Sequence, residues 1–137
     1  MTQFRKEMEN SYETETPLRY YDIFQCLHEL FLKQASLLPD NPAVLDSNDA
    51  LNYGGLNELS NRIALAIVQQ GIAPGSFVGL CASRSLHSVA GMVGVLKAGC
   101  AWVPLDADYP AERLRFIADD ASLPLILTLR RFRETFS

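Results

Sequence analysis

The segment Leu96-Lys-Ala-Gly-Cys-Ala-Trp-Val-Pro-Leu-Asp-Ala-Asp-Tyr-Pro-Ala-Glu-Arg113 gives the clearest indication of how this chain folds. It combines the end of a helix, a glycine turn, a short apolar strand and the start of another helix. Gly99 permits a left-handed backbone at the helix end. Pro110 opens the next helix at a position where a missing N–H costs nothing. The stretch therefore predicts one half of a βαβ repeat.

The same alternation continues on both sides of this stretch. Apolar runs at residues 77–81, 101–105 and 125–129 are strand candidates, and helical patterns lie between them. Continuous apolar strands that alternate with helices through short connections indicate a parallel sheet covered on both faces. We therefore predict an α/β fold with a mostly parallel sheet and flanking helices. The resemblance described below implies an incomplete N-terminal subdomain.

The helix predicted over residues 86–98 is rich in small side chains. Its glycines and alanines are expected to let it approach the sheet closely. Its large residues are expected to form the main buried stripe: Leu86, Val89, Val93 and Leu96. In the strand that follows, Val103 is expected to fill the core and Pro104 to end the ladder.

The first part of the chain divides into a leader, a helix and a hairpin. Residues 1–21 are polar, acidic and aperiodic, which is typical of a disordered or loosely attached leader. Asp22 and Gln25 have the spacing of a capping box, and an apolar stripe at helical period follows, with Phe24, Leu27, Phe31 and Ala35. Pro39 ends this helix. Two short apolar runs at residues 43–46 and 50–53 predict a hairpin.

A second helix is predicted up to Gln70, with Gly71 as its C-terminal cap. Leu56, Leu59, Ile63 and Ile67 mark its apolar face. The remaining helix, which Pro110 opens, is expected to turn Leu114, Ile117, Ala118 and Ala121 inward.

Composition excludes several classes of function. The 137 residues carry a formal net charge of −4, which argues against nucleic acid as a partner. No apolar run approaches the roughly 20 residues of a membrane span, and no secretory signal precedes residue 22. We therefore expect a cytoplasmic protein with no membrane partner.

Cysteine and histidine give no pattern typical of a metal site or a disulfide framework. Cys26, Cys81 and Cys100 are far apart and odd in number, so all three are expected to pack in the core. His28 follows Cys26 at a spacing that separates them on a helix. His87 is interpreted as a surface or capping residue.

Two motifs resemble those of a known family. Leu51-Asn-Tyr-Gly-Gly-Leu-Asn-Glu58 is similar to the first core motif of the adenylation domains of nonribosomal peptide synthetases, and residues 96–113 closely resemble the second. The resemblance covers about residues 24–128. It identifies residues 22–137 as a truncated portion of an AMP-binding adenylation domain.

The first motif departs from the family in a way that affects the helix start. The family has a Ser/Thr and a Glu in a capping box, whereas Asn52 and Gly55 stand here. Asn52 can still act as a cap. Because glycine inside a helix costs about 1 kcal/mol against alanine, the helix is expected to begin later, near Leu56.

The resemblance implies an activity for the complete domain. Such domains form an aminoacyl adenylate from an amino acid and ATP with magnesium, and pass the acyl group to phosphopantetheine on a carrier domain. The family's phosphate loop and catalytic lysine do not occur in these 137 residues. We therefore assign no catalytic, cofactor-binding or metal-binding residue here. The chain is expected to be inactive alone, with the remainder of the domain or a downstream synthetase chain as its partner.

Other candidates for chemistry are weak, and other functions stay open. Gly94 and Gly99 have Walker A spacing, but Cys100 and Ala101 stand where Lys and Ser/Thr are needed. The serines of residues 83–85 have no defined base, and Asp106 and Asp108 are typical turn residues.

Two alternatives to the adenylation-domain function remain. The chain is a non-catalytic binding module that complements another chain, or a fragment of an acyl-CoA synthetase-like ligase.

Overall fold

The computed structural model describes residues 26–47 and 49–136. The helices within these residues are α1 Leu27–Leu37, α2 Tyr53–Gln69, α3 Leu86–Lys97 and α4 Ala111–Asp120. The strands are β1 Pro42–Leu45, β2 Ala50–Asn52, β3 Phe77–Cys81, β4 Ala101–Pro104 and β5 Ile126–Thr128. A 3₁₀ helix, Arg130–Phe136, follows β5.

The predicted parallel sheet is confirmed, with β3 at its centre. Its strand order is β4-β3-β5, and both pairings are parallel. All residues of β3 after Phe77 are buried, as expected for a strand covered on both faces.

Helices cover both faces because the chain reverses its direction along the sheet. It runs from β3 outward to β4, then back across β3 to β5. Since parallel crossovers are right-handed, connections in opposite directions place their helices on opposite faces. Val78 accordingly packs in a cluster with Val95 of α3, whereas Cys81 packs in another with Leu114 of α4. As predicted, Leu114 faces inward and is buried; Ile117, Ala118 and Ala121 are half-buried.

The hairpin is also confirmed, and it corrects the predicted start of α2. Strands β1 and β2 pair antiparallel in a sheet of their own. The helix begins at Tyr53, not near Leu56, because Asn52 caps it by accepting a 2.7 Å hydrogen bond from the Gly55 N–H. The Gly54 N–H donates to the Pro39 carbonyl at 2.8 Å. The Asn52 cap and the bond to Pro39 together satisfy two backbone N–H groups of the first turn, which compensates for its two glycines.

Helix α1 begins at Leu27, later than the predicted capping box implies. Cys26 is extended, and its N–H donates to the Glu29 carboxylate at 3.0 Å. Asp22, Phe24, Gln25 and the predicted leader of residues 1–21 lie outside the described residues. The predicted apolar stripe of this helix is confirmed at Ala35, which is buried, and wrong at Leu27, which is 65% exposed.

The buried face of α3 differs from the predicted stripe. Its buried residues are Leu86, Ala90, Gly91, Gly94 and Val95, whereas Val89, Val93 and Leu96 are only half-buried. The helix packs against α2 as well as β3, and the small side chains face these neighbours. In the strand that follows, Val103 is half-buried and does not fill the core as predicted. The buried positions there are Cys100 and Leu105.

Two glycines set the distance between α3 and its neighbours. A Cβ on Gly91 would lie 2.8 Å from a terminal methyl carbon of Leu80 in the sheet. A Cβ on Gly94 would lie 2.6 Å from Cγ2 of Ile63 and 3.0 Å from the carbonyl oxygen of Ser60, both on α2. The predicted close approach to the sheet is therefore correct at Gly91, and an equally close approach to α2 occurs at Gly94. The left-handed backbone predicted at Gly99 is confirmed, with φ +75°.

The glycine contacts predict unequal effects of the same substitution. Gly94→Ala should lower the free energy of unfolding by about 1–3 kcal/mol, because it forces a methyl group against the α2 backbone. Gly91→Ala should stay within about 1 kcal/mol of the wild type, since the Leu80 side chain can rotate and alanine favours the helix. Urea denaturation of the two variants measures this difference. Equal losses would contradict it.

Candidate functional site

The parallel strands β4, β3 and β5 end at one edge of the sheet, and the loops after them meet there. Ligands of open α/β sheets bind outside the carboxyl ends of the strands, next to the point where the strand order reverses. With the order β4-β3-β5, that point lies between β3 and β5. A ligand of this sheet is therefore expected at this edge.

A cleft of about 530 Å³ lies at this edge beside the ends of β3 and β4. Met92 and Trp102 contribute apolar surface to it, and Arg84, Asp106 and Asp108 contribute charge. Asp106 accepts a 3.0 Å hydrogen bond from the N–H of Asp108, and its carbonyl accepts another from Tyr109. Asp106 is thus the turn residue that the sequence predicted.

A second cleft, of about 480 Å³, lies between the hairpin and the end of β5. Asp46, His87, Arg130 and Arg131 line it. The Asp46 carboxylate accepts hydrogen bonds from the N–H of Leu86 at 3.1 Å and of Asp49 at 3.0 Å. The N-terminus of α3, which would otherwise attract an anion, thus holds an aspartate of this chain. His87 is exposed on the first turn of α3, as predicted.

Within the part of the chain that the structure describes, no histidine or carboxylate hydrogen-bonds to the hydroxyls of Ser83 and Ser85, the serines between β3 and α3. The Ser83 hydroxyl accepts a hydrogen bond from the Arg131 guanidinium. The Ser88 hydroxyl donates to the Ser85 carbonyl at 2.6 Å, and the buried Ser85 hydroxyl has no partner among the described residues. Since a serine nucleophile needs a base within hydrogen-bond reach, this arrangement does not favour acyl transfer.

Cys81 lies at the end of β3 but is not poised as a thiolate. Burial raises the pKa of its thiol, and the negative charge of Asp106 acts in the same direction. A hydrogen bond with Thr128 opposes them, to a smaller extent. Because the thiolate is the nucleophile, complete burial and the raised pKa both lower the reactivity of Cys81.

The most unusual group lies away from this edge, at the end of α3. The Lys97 ammonium donates to Asn57 Oδ1 at 2.6 Å, Asn61 Oδ1 at 2.7 Å and Ser60 Oγ at 2.8 Å, with a longer contact of 3.3 Å to the Asn57 carbonyl. It also lies 5.1 Å from the centre of the Phe31 ring. One side chain of α3 therefore contacts both α2 and α1.

Burial lowers the pKa of Lys97 to about 8. A lysine shifted in this way is a candidate for function, but its contacts bind helices to one another and do not open onto either cleft. Sequence reasoning missed this cluster. The available signal was a pair of polar residues one turn apart on α2, Asn57 and Asn61, beside the predicted apolar face.

The other sequence candidates are placed apart from one another. The segment from Gly94 to Gly99 forms the end of α3 and the turn after it, as predicted. It is not a Walker A loop. No group of three or more metal-ligating side chains occurs among residues 26–47 and 49–136. Within the same residues, no helix is both long and apolar enough to cross a membrane.

Comparisons with known proteins place this arrangement in one family. The family described as AMP-binding enzyme matches residues 31–136. Gramicidin S synthase 2 of Brevibacillus brevis is 41% identical over 114 residues, which are 83% of this chain and 3% of that protein. A dimodular nonribosomal peptide synthase of Bacillus subtilis (strain 168) is 48% identical over 103 residues, which are 75% of this chain and 4% of that protein.

Solved structures agree with these relatives. The nonribosomal peptide synthetase FmoA3 superposes with a TM-score of 0.77 and 33% identity, over 80% of this chain and 12% of that one. Its form bound to α-methyl-L-serine-AMP gives a TM-score of 0.78 at the same identity and coverage. The chain thus spans only a small part of the relatives that it matches.

The Asp46 contact predicts a loss of stability when the carboxylate is removed. Asp46→Ala should lower the free energy of unfolding by about 1 kcal/mol, because the N-terminus of α3 loses its cap and a favourable charge. Asp46→Asn, which keeps one of the two acceptor oxygens, should lose less. Urea denaturation of both variants checks the order, and a more damaging Asp46→Asn would contradict it.

Burial of the cysteines predicts unequal reactivity. The sequence expectation of core packing is confirmed for Cys81 and Cys100 and wrong for Cys26. Cys26 is exposed at the start of α1, whereas Cys81 and Cys100 are buried. Ellman's reagent at pH 7.5 should therefore modify one thiol in the folded chain and three in urea. Cys26→Ser should abolish the fast reaction. Fast modification that survives this change would contradict the placement of the thiols.

Proposed function

Because the chain belongs to the AMP-binding enzyme family, we propose that residues 22–137 form the supporting N-terminal portion of an amino-acid-activating unit. The complete unit would join an amino acid to the α-phosphate of ATP and release pyrophosphate. In this proposal the chain supplies a framework for that chemistry and not its reacting groups.

One contact carries the proposal. Asn57 lies in the first family motif and Lys97 in the second, and the Lys97 ammonium donates to Asn57 Oδ1 at 2.6 Å. The two motifs are nearly 40 residues apart in sequence, yet they meet where α2 and α3 cross. This supports a reading of both motifs as parts of one structural joint.

The described residues do not fit a nucleotide phosphate. A phosphate cradle needs free backbone N–H groups and a cation aimed at one point. Asp46 already accepts from the N-terminus of α3, and Lys97 donates to α2. We therefore derive no step through ATP or magnesium on these residues, and we propose that other segments of the unit hold them.

The partners and location follow from the same proposal. The partner in direct contact is the rest of an adenylation domain, and a carrier domain with phosphopantetheine receives the acyl group from the complete unit. The unit would act in the cytoplasm, where ATP is available. Which amino acid it activates depends on residues outside this chain.

A chimera tests the framework role. Residues 26–134 would replace the matching segment of an adenylation domain of gramicidin S synthase 2, and amino-acid-dependent ATP–pyrophosphate exchange would be measured. We expect exchange within about tenfold of the parent, with unchanged amino-acid preference, because a framework need not alter the substrate pocket. Gly94→Ala in the chimera should lower the thermal midpoint.

Two results would contradict the proposal. A chimera that folds with the parent's thermal midpoint but shows no exchange would mean that the segment cannot replace its relative. Amino-acid-dependent exchange by the purified 137-residue chain would show that the chain holds reacting groups of its own. We expect the purified 137-residue chain to show no exchange.

A further inference from the structure

Strand β5 lies at one edge of the parallel sheet, and its outer side presents open backbone groups. The Leu125 carbonyl accepts a hydrogen bond from the N–H of Gly79 in β3 at 2.9 Å. Because successive residues of a strand direct their backbone groups to opposite sides, Leu127 also faces β3, whereas Ile126 and Thr128 face outward. Within the described part of the chain, no strand pairs with that outer side. An open edge of this kind is a template for another strand.

The opposite edge of the sheet, along β4, is a poorer template. The Leu105 N–H donates to the Leu80 carbonyl of β3 at 3.0 Å. By the same alternation, Trp102 and Pro104 face outward. Since proline has no N–H, the outer side of β4 offers the Trp102 N–H alone, whereas β5 offers two N–H groups. A further strand therefore gains more hydrogen bonds along β5 than along β4.

The side chains of β5 are typical of a strand that lies inside a sheet. Leu127 packs against the cluster around Val95, on the face that α3 covers. Ile126 packs against the cluster around Leu114, on the face that α4 covers. Both β5 side chains are nevertheless only half-buried. Because a strand that is apolar on both faces is expected between two other strands, this pattern favours a neighbour on the outer side of β5.

The segment after β5 indicates the direction in which the sheet continues. Parallel crossovers are right-handed, so the face on which a connection runs depends on its direction across the sheet. The connection from β4 to β5 places α4 on one face, and a connection that continues past β5 stays on that face. A connection that returned past β4 would run on the face of α3. The 3₁₀ helix contacts α4, and its Phe132 packs against the cluster around Leu114. The chain therefore leaves β5 toward the outer side of that strand.

We propose that the next strand of the adenylation unit after the 3₁₀ helix pairs in parallel with the outer edge of β5, beside Ile126 and Thr128. The sheet then has the order β4-β3-β5 followed by the added strand. This inference rests on the proposed function, because it takes the rest of an adenylation domain as the partner. It names the backbone edge by which the framework joins that partner.

Hydrogen exchange of the two outward amides tests this pairing first in the purified 137-residue chain. In dilute solution, NMR should show the Ile126 and Thr128 amides exchanging within about tenfold of an unstructured peptide, whereas the Leu127 amide should be slowed at least about 100-fold. Slow exchange of the two outward amides would mean that the chain itself already covers this edge. Slowing that appears only as the concentration rises would mean that a second copy covers it. Either result would overturn the proposal.

The chimera with gramicidin S synthase 2 provides the second measurement. Its Ile126 and Thr128 amides should exchange at least about 100-fold more slowly than in the free chain, because each donates to the added strand. Mass spectrometry with electron-transfer fragmentation resolves these residues. Unprotected amides in a chimera that performs ATP–pyrophosphate exchange would overturn the pairing and leave the proposed function intact. Protected amides in a folded chimera without that activity would support the pairing and contradict the proposed function.

A proline at position 128 separates backbone pairing from simple burial. Thr128→Pro removes the outward N–H, and Thr128→Ala, which keeps it, is the matched control for the lost side chain. The difference in thermal midpoint between these variants should be several degrees larger in the chimera than in the free chain, because the hydrogen bond forms only with the added strand. An equal difference in the two proteins would overturn the pairing.

Discussion

The close contact between α2 and α3 at Gly94 is the constraint on which the rest of the structure depends. A Cβ at this position would lie 2.6 Å from Ile63, so only glycine permits the observed separation of the helices. At this separation Lys97, one turn further along α3, reaches Asn57 and Asn61 on α2. The same α3 face places Val95 against Val78 in β3. A wider separation would weaken the lysine contacts and the packing on the central strand together.

In our proposal, the two family motifs build this contact between α2 and α3 and supply no reacting group. The first motif builds the start of α2, and the second builds the end of α3, the Gly99 turn and β4. Both position the edge at which β3, β4 and β5 end. The side chains at that edge are turn, cap and core residues, with Asp106, Asp46 and Cys81 as examples. A framework of this kind can be shared among enzymes that differ in substrate, because the substrate contacts lie on other segments.

The predictable part of the fold was the part that local chemistry determines. Gly99 and Pro110 marked real boundaries because each restricts its own backbone, and apolar runs marked the strands because both faces of the sheet are covered. The wrong predictions concern positions whose structure is determined by contacts with residues distant in sequence. The Pro39 carbonyl satisfies Gly54 and lets α2 begin at Tyr53, and α2 selects the small-residue face of α3. Lys97 was missed because its partners lie about 40 residues away, and Phe132 joins the α4 cluster from a tail with no periodic pattern.

A double-mutant cycle between Ile63→Ala and Gly94→Ala, followed by urea denaturation, tests the central contact most directly. If the Ile63 side chain excludes a methyl group at position 94, Gly94→Ala should lower the free energy of unfolding by at least about 1 kcal/mol less in the Ile63→Ala background than in the wild type. The Cβ of residue 63, which alanine keeps at 2.8 Å, and the Ser60 carbonyl at 3.0 Å would still leave part of the cost in place. Additive losses, with the cost of Gly94→Ala unchanged by the removal of the Ile63 side chain, would contradict the account.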